Sequence, residues 1–213
     1  MPSTAAVLPE VLTLEELAVR YGPVELQKPL TKPEFVALAG HYPDLAMERK
    51  KNGLVTIMSP VTRGSGRRES ALIALVYLWN AQFGQGEVYS SSSGFDLPDG
   101  ATKSPDVAWI SPKRLAEAGE GEEDVFVPIV PDFVAEVRSK SDRLKKVQRK
   151  MTDTWLANGV LLAWLIDPYE EKVYIYRPDR EVETVHGFSG KTLSGGAVLP
   201  GFEFPLEKMK RNG

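Results

Sequence analysis

Three short apolar runs in the middle of the chain predict the strands of a sheet. Residues 106–110 and 133–138 are rich in β-branched and aromatic side chains and are bounded by Pro or Ser, as strands commonly are. Residues 160–166 are apolar throughout, which indicates a central strand covered on both faces. Between the last two runs, apolar residues recur at helical spacing and predict a helix over about residues 142–157.

Further patterns predict helices and hairpins on either side of these strands. Capping boxes that begin at Thr13 and Thr31 predict short helices at residues 14–20 and 32–40. The other predicted elements are a hairpin over 45–59 with an Asn-Gly turn, a helix at 67–83, a strand beginning at residue 89, a short helix at 112–117, and a hairpin formed by 173–177 and 182–185. The order of these elements predicts an α/β sheet flanked by helices, with an N-terminal helix and hairpin extension.

Chain length favours one main domain. The 213 residues are enough for a sizeable core, and the apolar content of 42% and charged content of 26% are ordinary for a globular protein. No internal repeat and no long linker divides the chain. We therefore expect residues 1–30 to form an N-terminal arm and short helix, and residues 31–213 to form a single domain.

The sequence also predicts a cytoplasmic protein that does not enter a membrane. The first residues lack the basic segment and apolar core of a signal peptide, and no apolar run approaches the roughly 20 residues that span a bilayer. The chain has no cysteine, which fits a reducing compartment. It also excludes disulfides, thiolate zinc sites and thiol nucleophiles.

Several kinds of active site are poorly supported by the sequence. The two histidines, His41 and His186, lie far apart and in contexts that do not indicate a base or a metal ligand. The Gly-Ser-Gly segment at 64–66 lacks the spacing and the Lys of a phosphate-binding loop. The net charge of −3 means that any site for a polyanion must be a local patch.

Carboxylates at the predicted strands give the best candidate chemistry. Side chains alternate along a strand, so Glu136 shares a face with Arg138, and Asp106 can join them from the neighbouring strand. Two adjacent carboxylates repel each other unless a cation compensates, and their oxygens, with the carbonyl of Val137, suit Mg²⁺ or Mn²⁺. Spacing alone leaves open a second interpretation, in which Glu136 and Arg138 are a solvated surface pair.

A basic segment follows the second strand. Residues 138–150 contain seven Lys or Arg residues and one acid, Asp142. This segment is the best candidate for contacts with phosphate groups, and a solvated helix face is the alternative interpretation. The predicted nucleic-acid contacts are Arg138, Lys140, Arg143, Lys146 and Lys150.

The motifs of the chain resemble those of a known enzyme superfamily. Asp106 and the Glu-Val-Arg of 136–138, on consecutive strands flanked by helices, resemble the PD-(D/E)XK nucleases and their restriction-endonuclease-like fold. More closely, the chain resembles the bacterial Uma-two family of restriction endonucleases over about residues 30–205. The matching stretches are PDLAMER, IMSP, SSSGFDLPDG, SPDVAW, PDFVAEVRS, SDRL, QRKM and WLIDPY.

This resemblance implies roles for individual residues. Asp106 and Glu136 match the metal-binding carboxylates, and Arg138 stands where the superfamily usually has its lysine. Arginine stays charged and shuttles protons poorly. The family carries a lysine on the following helix, and Lys150 matches that position, so the resemblance implies that Lys150 is a migrated catalytic lysine. Glu48 or Glu69 can supply a further acid, and Glu48 is preferred because it matches an acidic position of the family.

The resemblance implies a Mg²⁺- or Mn²⁺-dependent endonuclease that hydrolyses DNA phosphodiester bonds through metal-activated water. A homodimer is expected, because twofold dimers are the commonest soluble assembly. Two other hypotheses stay open. The first, motivated by Arg138 and the acidic net charge, is a catalytically inactive relic of the fold that binds nucleic acid or a protein. The second is a purely structural subunit of an oligomer.

Overall fold

A computed structural model describes residues 12–84, 86–119 and 121–211. The chain forms two compact units that divide between Pro60 and Val61. The sequence places a domain boundary after residue 30, and that assignment stays a prediction. The predicted N-terminal arm, which precedes the helix predicted at 14–20, lies almost wholly in residues 1–11, outside the described part of the chain.

The first unit contains the predicted N-terminal helices and hairpin. Its elements are α1 (Leu14–Tyr21), β1 (Val24–Glu25), α2 (Lys32–His41), β2 (Met47–Arg49) and β3 (Val55–Ile57). Both capping boxes are present: the hydroxyls of Thr13 and Thr31 accept from the backbone N–H three residues later, and Glu16 and Glu34 accept from the cap N–H in return. β3 pairs antiparallel with both β1 and β2. The predicted helices and hairpin are therefore confirmed.

The second unit contains the remaining elements. They are α3 (Arg63–Trp79) with a π-helical extension (Asn80–Gly84), β4 (Glu87–Ser90), β5 (Phe95–Asp96), β6 (Thr102–Lys103), β7 (Val107–Ile110), α4 (Pro112–Ala118), β8 (Phe133–Val137), α5 (Leu144–Arg149) followed by a π-helical segment (Lys150–Trp155) and a 3₁₀ turn (Leu156–Asn158), β9 (Leu162–Asp167), β10 (Lys172–Tyr176), β11 (Glu183–His186), β12 (Thr192–Ser194), β13 (Glu203–Pro205) and a 3₁₀ turn (Leu206–Met209).

A six-stranded mixed sheet forms the centre of this unit. Its strand order is β11-β10-β9-β8-β7-β4, in which β8 and β9 are parallel and all other neighbours are antiparallel. The helix that begins with α5 connects the two parallel strands, as parallel pairing requires a crossover. All six residues of β9 are buried between β8 and β10, which confirms the predicted central strand.

Apolar side chains cover both faces of the sheet. On one face Phe133, Ala135 and Val137 belong to a core shared with α3 and the C-terminal segment. On the other face Val134 belongs to a second core with Met151 and Trp155 from the crossover helix. The alternation predicted for residues 133–138 is thus confirmed over β8, Phe133–Val137, and it directs Glu136 toward the crossover helix.

Four predicted elements differ from the structure. The helix predicted at 67–83 begins at Arg63, so the Gly-Ser-Gly segment at 64–66 lies in its first turn. The strand predicted from residue 89 is interrupted by a turn, in which Ser93 N–H donates to the carbonyl of Ser90 at 3.0 Å. The helix predicted at 142–157 contains α-, π- and 3₁₀-helical segments in succession. The turn-rich C-terminal tail contains the antiparallel β12–β13 hairpin. In the part of the chain that the structure describes, no helix is long and apolar enough to cross a membrane.

Candidate active site

Sheet register brings Asp106 and Glu136 together. β7 and β8 are antiparallel and pair Val107 with Ala135, so continuing this register by one residue sets Asp106 opposite Glu136. The backbone N–H of Val137 donates to Oδ2 of Asp106 at 2.6 Å. This hydrogen bond fixes the Asp106 carboxylate beside the end of β8.

The Glu136 carboxylate is buried and has two partners on the crossover helix. Its residue is 8% exposed. Lys150 Nζ lies 2.7 Å from Oε1 of Glu136, and the indole Nε1–H of Trp155 donates to the same oxygen at 3.0 Å. Lys150 also donates to the carbonyl of Ser104 at 3.3 Å, just before Asp106. One ammonium group therefore contacts the segments that carry both carboxylates.

The π-helical segment explains why Lys150 and Trp155 reach the same atom. A π-helix closes hydrogen bonds between residues five apart, so Lys150 and Trp155 lie one above the other on the same side. In an α-helix, residues three and four apart share a side instead. The sequence identified Trp155 only as a core residue, because its apolar spacing was interpreted with the α-helical period.

The electrostatic state of Asp106 reflects this crowding. Burial raises the pKa of Asp106 well above its usual range, and the negative charge of Glu136 raises it further. The N–H of Val137 opposes this change, Glu69 adds to it, and the positive charge of Lys150 lowers the pKa. Two carboxylates that repel one another in a confined site favour a proton or a cation between them.

Glu69 and Glu48 are the two candidates for a further acid. Glu69 lies on α3, in the same compact unit as Asp106, and is 9% exposed. Its charge acts on the pKa of Asp106. Glu48 lies on β2 in the first unit and is likewise 9% exposed. The assignment of Glu48 as a metal ligand stays a prediction, whereas Glu69 has an electrostatic observation in its favour.

The oxygen ligands of this site suit a hard divalent cation that keeps part of its water shell. Within residues 12–84, 86–119 and 121–211, no group of three or more His, Cys, Asp or Glu side chains is arranged to enclose a metal. Mg²⁺, however, commonly binds through one or two carboxylates and keeps several waters. Asp106 and Glu136, with the main-chain carbonyl of Val137, therefore fit such an ion in chemical type.

Arg138 directly follows the last residue of β8 and has its own acidic partner. Its Nη1 lies 2.7 Å from Oδ2 of Asp167, which is fully buried at the end of β9. Its Nε donates to the carbonyl of Asp142 at 3.2 Å. The sequence did not identify Asp167 as a partner, although an acid that ends an apolar strand was a visible signal.

The remaining predicted nucleic-acid contacts lie on the surface. Lys140, Arg143 and Lys146 are exposed, as are the neighbouring Lys145 and Arg149. Their exposure is compatible with both interpretations from the sequence, phosphate contacts and a solvated helix face.

Comparisons with known proteins agree with the motifs and the fold. The family model Uma2, described as "Putative restriction endonuclease", matches residues 33–207. Among solved structures, a protein from Anabaena variabilis described as a "putative nuclease belonging to DUF820" superposes with a TM-score of 0.70 and 21% sequence identity. The match covers 85% of this chain and 97% of that one, and it shows the restriction-endonuclease-like fold. No curated protein matched the chain. Because the family model spans most of the sequence, this protein belongs to the Uma2 family.

Proposed function

We propose that this protein is a divalent-metal-dependent endonuclease that hydrolyses DNA phosphodiester bonds. The observation that carries the proposal is the cluster of Asp106, Glu136 and Lys150. The ammonium of Lys150 lies 2.7 Å from the buried carboxylate of Glu136, and the pKa of the neighbouring Asp106 is raised. Perturbed carboxylates grouped with a lysine are a common feature of active sites. Membership of the Uma2 family, with its nuclease description, supports the same class of activity.

The carboxylates would hold Mg²⁺ or Mn²⁺. Asp106 and Glu136 supply hard oxygen ligands, and the carbonyl of Val137 is a third candidate ligand. Such an ion, when bound, supplies Lewis acidity that lowers the pKa of water and offsets phosphate charge. The raised pKa of Asp106 is consistent with this role, because a site that disfavours its own negative charge gains from a cation.

Lys150 would orient the attacking water or stabilise charge on the phosphate oxygens. Its contacts with Glu136 and the Ser104 carbonyl hold the ammonium between the two carboxylate-bearing segments. Trp155 fixes Glu136 from the same helix, so that the carboxylate keeps one position. Arg138, whose guanidinium is paired with Asp167, would contact a phosphate group rather than transfer a proton.

Exposed basic residues on the loop and helix after β8 would contact the DNA backbone. Lys140, Arg143 and Lys146 extend this surface beyond Arg138. Contacts of this kind contribute affinity without sequence readout and make binding salt-dependent. They also supply the local positive patch that a chain of net charge −3 requires for a polyanion.

A catalytically inactive DNA-binding protein is the second candidate function. Two observations favour it: Arg138 replaces the usual lysine, and Oε1 of Glu136 already accepts from both Lys150 and Trp155. Under this alternative the Lys150 charge takes the place of a metal ion.

Plasmid cleavage distinguishes the two functions. We expect wild-type protein to nick supercoiled DNA in Mg²⁺ or Mn²⁺ and not in chelator, and Asp106→Asn, Glu136→Gln and Lys150→Met to lose activity by about 100-fold or more. Asp124→Asn, in an exposed acidic loop, is the matched control and should cleave normally. Calorimetric titration of Mn²⁺ gives a second readout. Cleavage that survives in both carboxylate variants contradicts the assignment, and salt-dependent DNA binding without cleavage establishes the inactive alternative.

We also propose a cytoplasmic homodimer. The absence of cysteine from the sequence supports the compartment. Exposed apolar side chains on α3 and its π-helical extension support the assembly, since Tyr77 is 60%, Leu78 is 62% and Phe83 is 65% exposed. Such clusters on a protein surface often mark an interface.

A further inference from the structure

A second group of charged residues surrounds Tyr169, just after β9. The guanidinium carbon of Arg211 lies 5.0 Å from the centre of the Tyr169 ring, and that of Arg138 lies 5.7 Å from it. Arg68 on α3 lies close enough to the same tyrosine and to Arg211 for both to affect its pKa. Three arginines from distant parts of the sequence thus meet at one aromatic side chain.

Arg68 is unusual because it is almost fully buried. It is 4% exposed, and within the described residues its Nε has no hydrogen-bond partner. Its guanidinium lies beside Gly64, one turn earlier on α3, where a Cβ would be 3.4 Å from Nη2 and thus in ordinary van der Waals contact. Burial lowers the pKa of Arg68, and the positive charges of Arg67 and Arg211 lower it further. A buried guanidinium with an unpaired donor is costly unless an acceptor binds to it.

The charges in this group do not balance. Of the contacts that the described residues make here, the one ion pair joins Arg138 to Asp167. Arg68 and Arg211 therefore add positive charge around Tyr169. The position of Arg211 is supported by Arg67, whose Nη2 donates to the carbonyl of Lys210 at 2.6 Å. This contact holds the C-terminal segment in a position from which Arg211 reaches the Tyr169 ring.

The group lies directly beside the candidate active site. Glu136 lies in β8 and Arg138 directly follows the last residue of that strand, and two residues of extended chain span about 7 Å. On α3, Arg68 precedes Glu69, whose charge acts on Asp106. A DNA strand that presents one phosphate to the carboxylates would bring another to the arginines.

We propose that Arg68, Arg138 and Arg211, arranged around Tyr169, bind a phosphodiester group of DNA next to the one that is cleaved. The guanidinium fork suits phosphate oxygens, which accept two parallel N–H bonds. The unpaired Nε of Arg68 supplies a donor from a rigid, buried position, and Arg211 closes the site from the surface. The identity of the ligand rests on the proposed function, whereas the anion site rests on the arginine geometry.

Binding of a fluorescent DNA duplex, measured by anisotropy in chelator at several salt concentrations, tests this site. Arg211 is exposed, so Arg211→Gln should fold normally. We expect its Kd to rise about tenfold, as for the loss of one charge-assisted hydrogen bond. The slope of log K against log salt should also fall by about one. Arg180→Gln is the matched control, because it removes the same charge from the turn between β10 and β11, at the opposite end of the sheet.

Two further variants test the buried part of the site. Tyr169→Phe keeps the ring and removes the hydroxyl group, whose electrostatic effect reaches Arg68. Arg68→Lys keeps the charge and removes the guanidinium fork. Both should weaken duplex binding, with thermal melting reporting whether each is folded. Wild-type Kd and salt slope in folded Arg211→Gln and Tyr169→Phe would overturn the proposal. The proposal would also be overturned if inorganic phosphate bound to the arginine site while the variants kept wild-type affinity for the duplex. The site would then bind a free anion and not DNA.

The outcome is independent of cleavage, because binding is measured without metal. Weaker binding by Arg211→Gln upholds the site even if the carboxylate variants show that the protein is not a nuclease. Unchanged binding by Arg211→Gln, together with cleavage that depends on Asp106, upholds the nuclease and removes the arginine site.

Discussion

At the scale of single residues, the site depends on how Asp106 and Glu136 share a confined space. Glu136 has a lysine and an indole N–H as direct partners, whereas Asp106 has a backbone N–H. Burial raises the pKa of Asp106, the charge of Glu136 raises it further, and the single N–H of Val137 offsets only part of this change. The positive charge of Lys150 compensates the Glu136 carboxylate, and a divalent cation would compensate the negative charge of Asp106.

The raised pKa of Asp106 predicts how stability changes with pH. Because the folded protein binds this proton more tightly than the unfolded chain, the free energy of unfolding falls as pH rises from about 3.9 through the raised value. Asp106→Asn removes the ionisation and can still accept from Val137. In metal-free buffer at pH 8 we expect the Tm of the variant to exceed that of wild type by about 2–4 °C for each kcal/mol of unfolding free energy that the substitution restores. Near pH 4 we expect the two proteins to have the same Tm.

Calorimetry across this pH range checks the prediction. Asp124→Asn is the control and should have the same Tm as wild type at every pH. Mg²⁺ should raise the Tm of wild type at pH 8 and leave that of Asp106→Asn unchanged, since a ligand stabilises only the state that binds it. An Asp106→Asn protein that is less stable than wild type at pH 8 would contradict the electrostatic account of this site.

At the scale of elements, helix caps and the π-helical segment have different origins. The caps follow from local sequence: Thr31 and Glu34 exchange hydrogen bonds at the start of α2, as their spacing predicts. The π-helical segment has no such local signal. It is the geometry that lets Met151 and Trp155 fill the core while Lys150 reaches Glu136.

Capping by Thr31 can be tested directly. Thr31→Ala leaves the backbone N–H of Glu34 without its side-chain acceptor, and we expect the free energy of unfolding to fall by about 1 kcal/mol. Thr31→Asn, which can accept the same bond, should restore most of the loss. Chemical denaturation measures both. The hydrogen bonds from Thr31 also lower the pKa of Glu34, so the stabilisation from this pair is present above the ordinary glutamate pKa and is lost as pH falls.

At the scale of the whole molecule, the proposed homodimer would let two of the proposed active sites act on one DNA duplex. The exposed apolar side chains Tyr77, Leu78 and Phe83 would be buried in the proposed homodimer. A double substitution, Leu78→Glu with Phe83→Glu, should convert the dimer to a monomer, since it places like charges in an apolar contact. Light scattering after gel filtration measures the mass. Val182→Glu, at another exposed apolar position, is the control and should leave a dimer. A wild-type monomer would contradict the proposed assembly.

The sequence predicted most of the secondary structure, because the relevant signals are local. Capping boxes, an Asn-Gly turn and apolar periodicity depend on residues within a few positions of each other. The alternation of residues 133–138 was also predictable, since neighbouring side chains on a strand must point to opposite faces. Motif resemblance then pointed to the restriction-endonuclease-like fold and to Asp106, Glu136 and Lys150 as site residues.

Contacts between distant residues were decided only by the tertiary structure. Strand register sets Asp106 opposite Glu136, and docking of the crossover helix brings Lys150 and Trp155 to one carboxylate oxygen. Sheet pairing gives Arg138 its buried partner Asp167, and the C-terminal segment carries Arg211 to Tyr169. The sequence by itself determined the elements and the chemically active residue types, because these follow from neighbouring positions. Which charge lies beside which depends on how separate elements pack, and that was settled only when the sheet and helices came together.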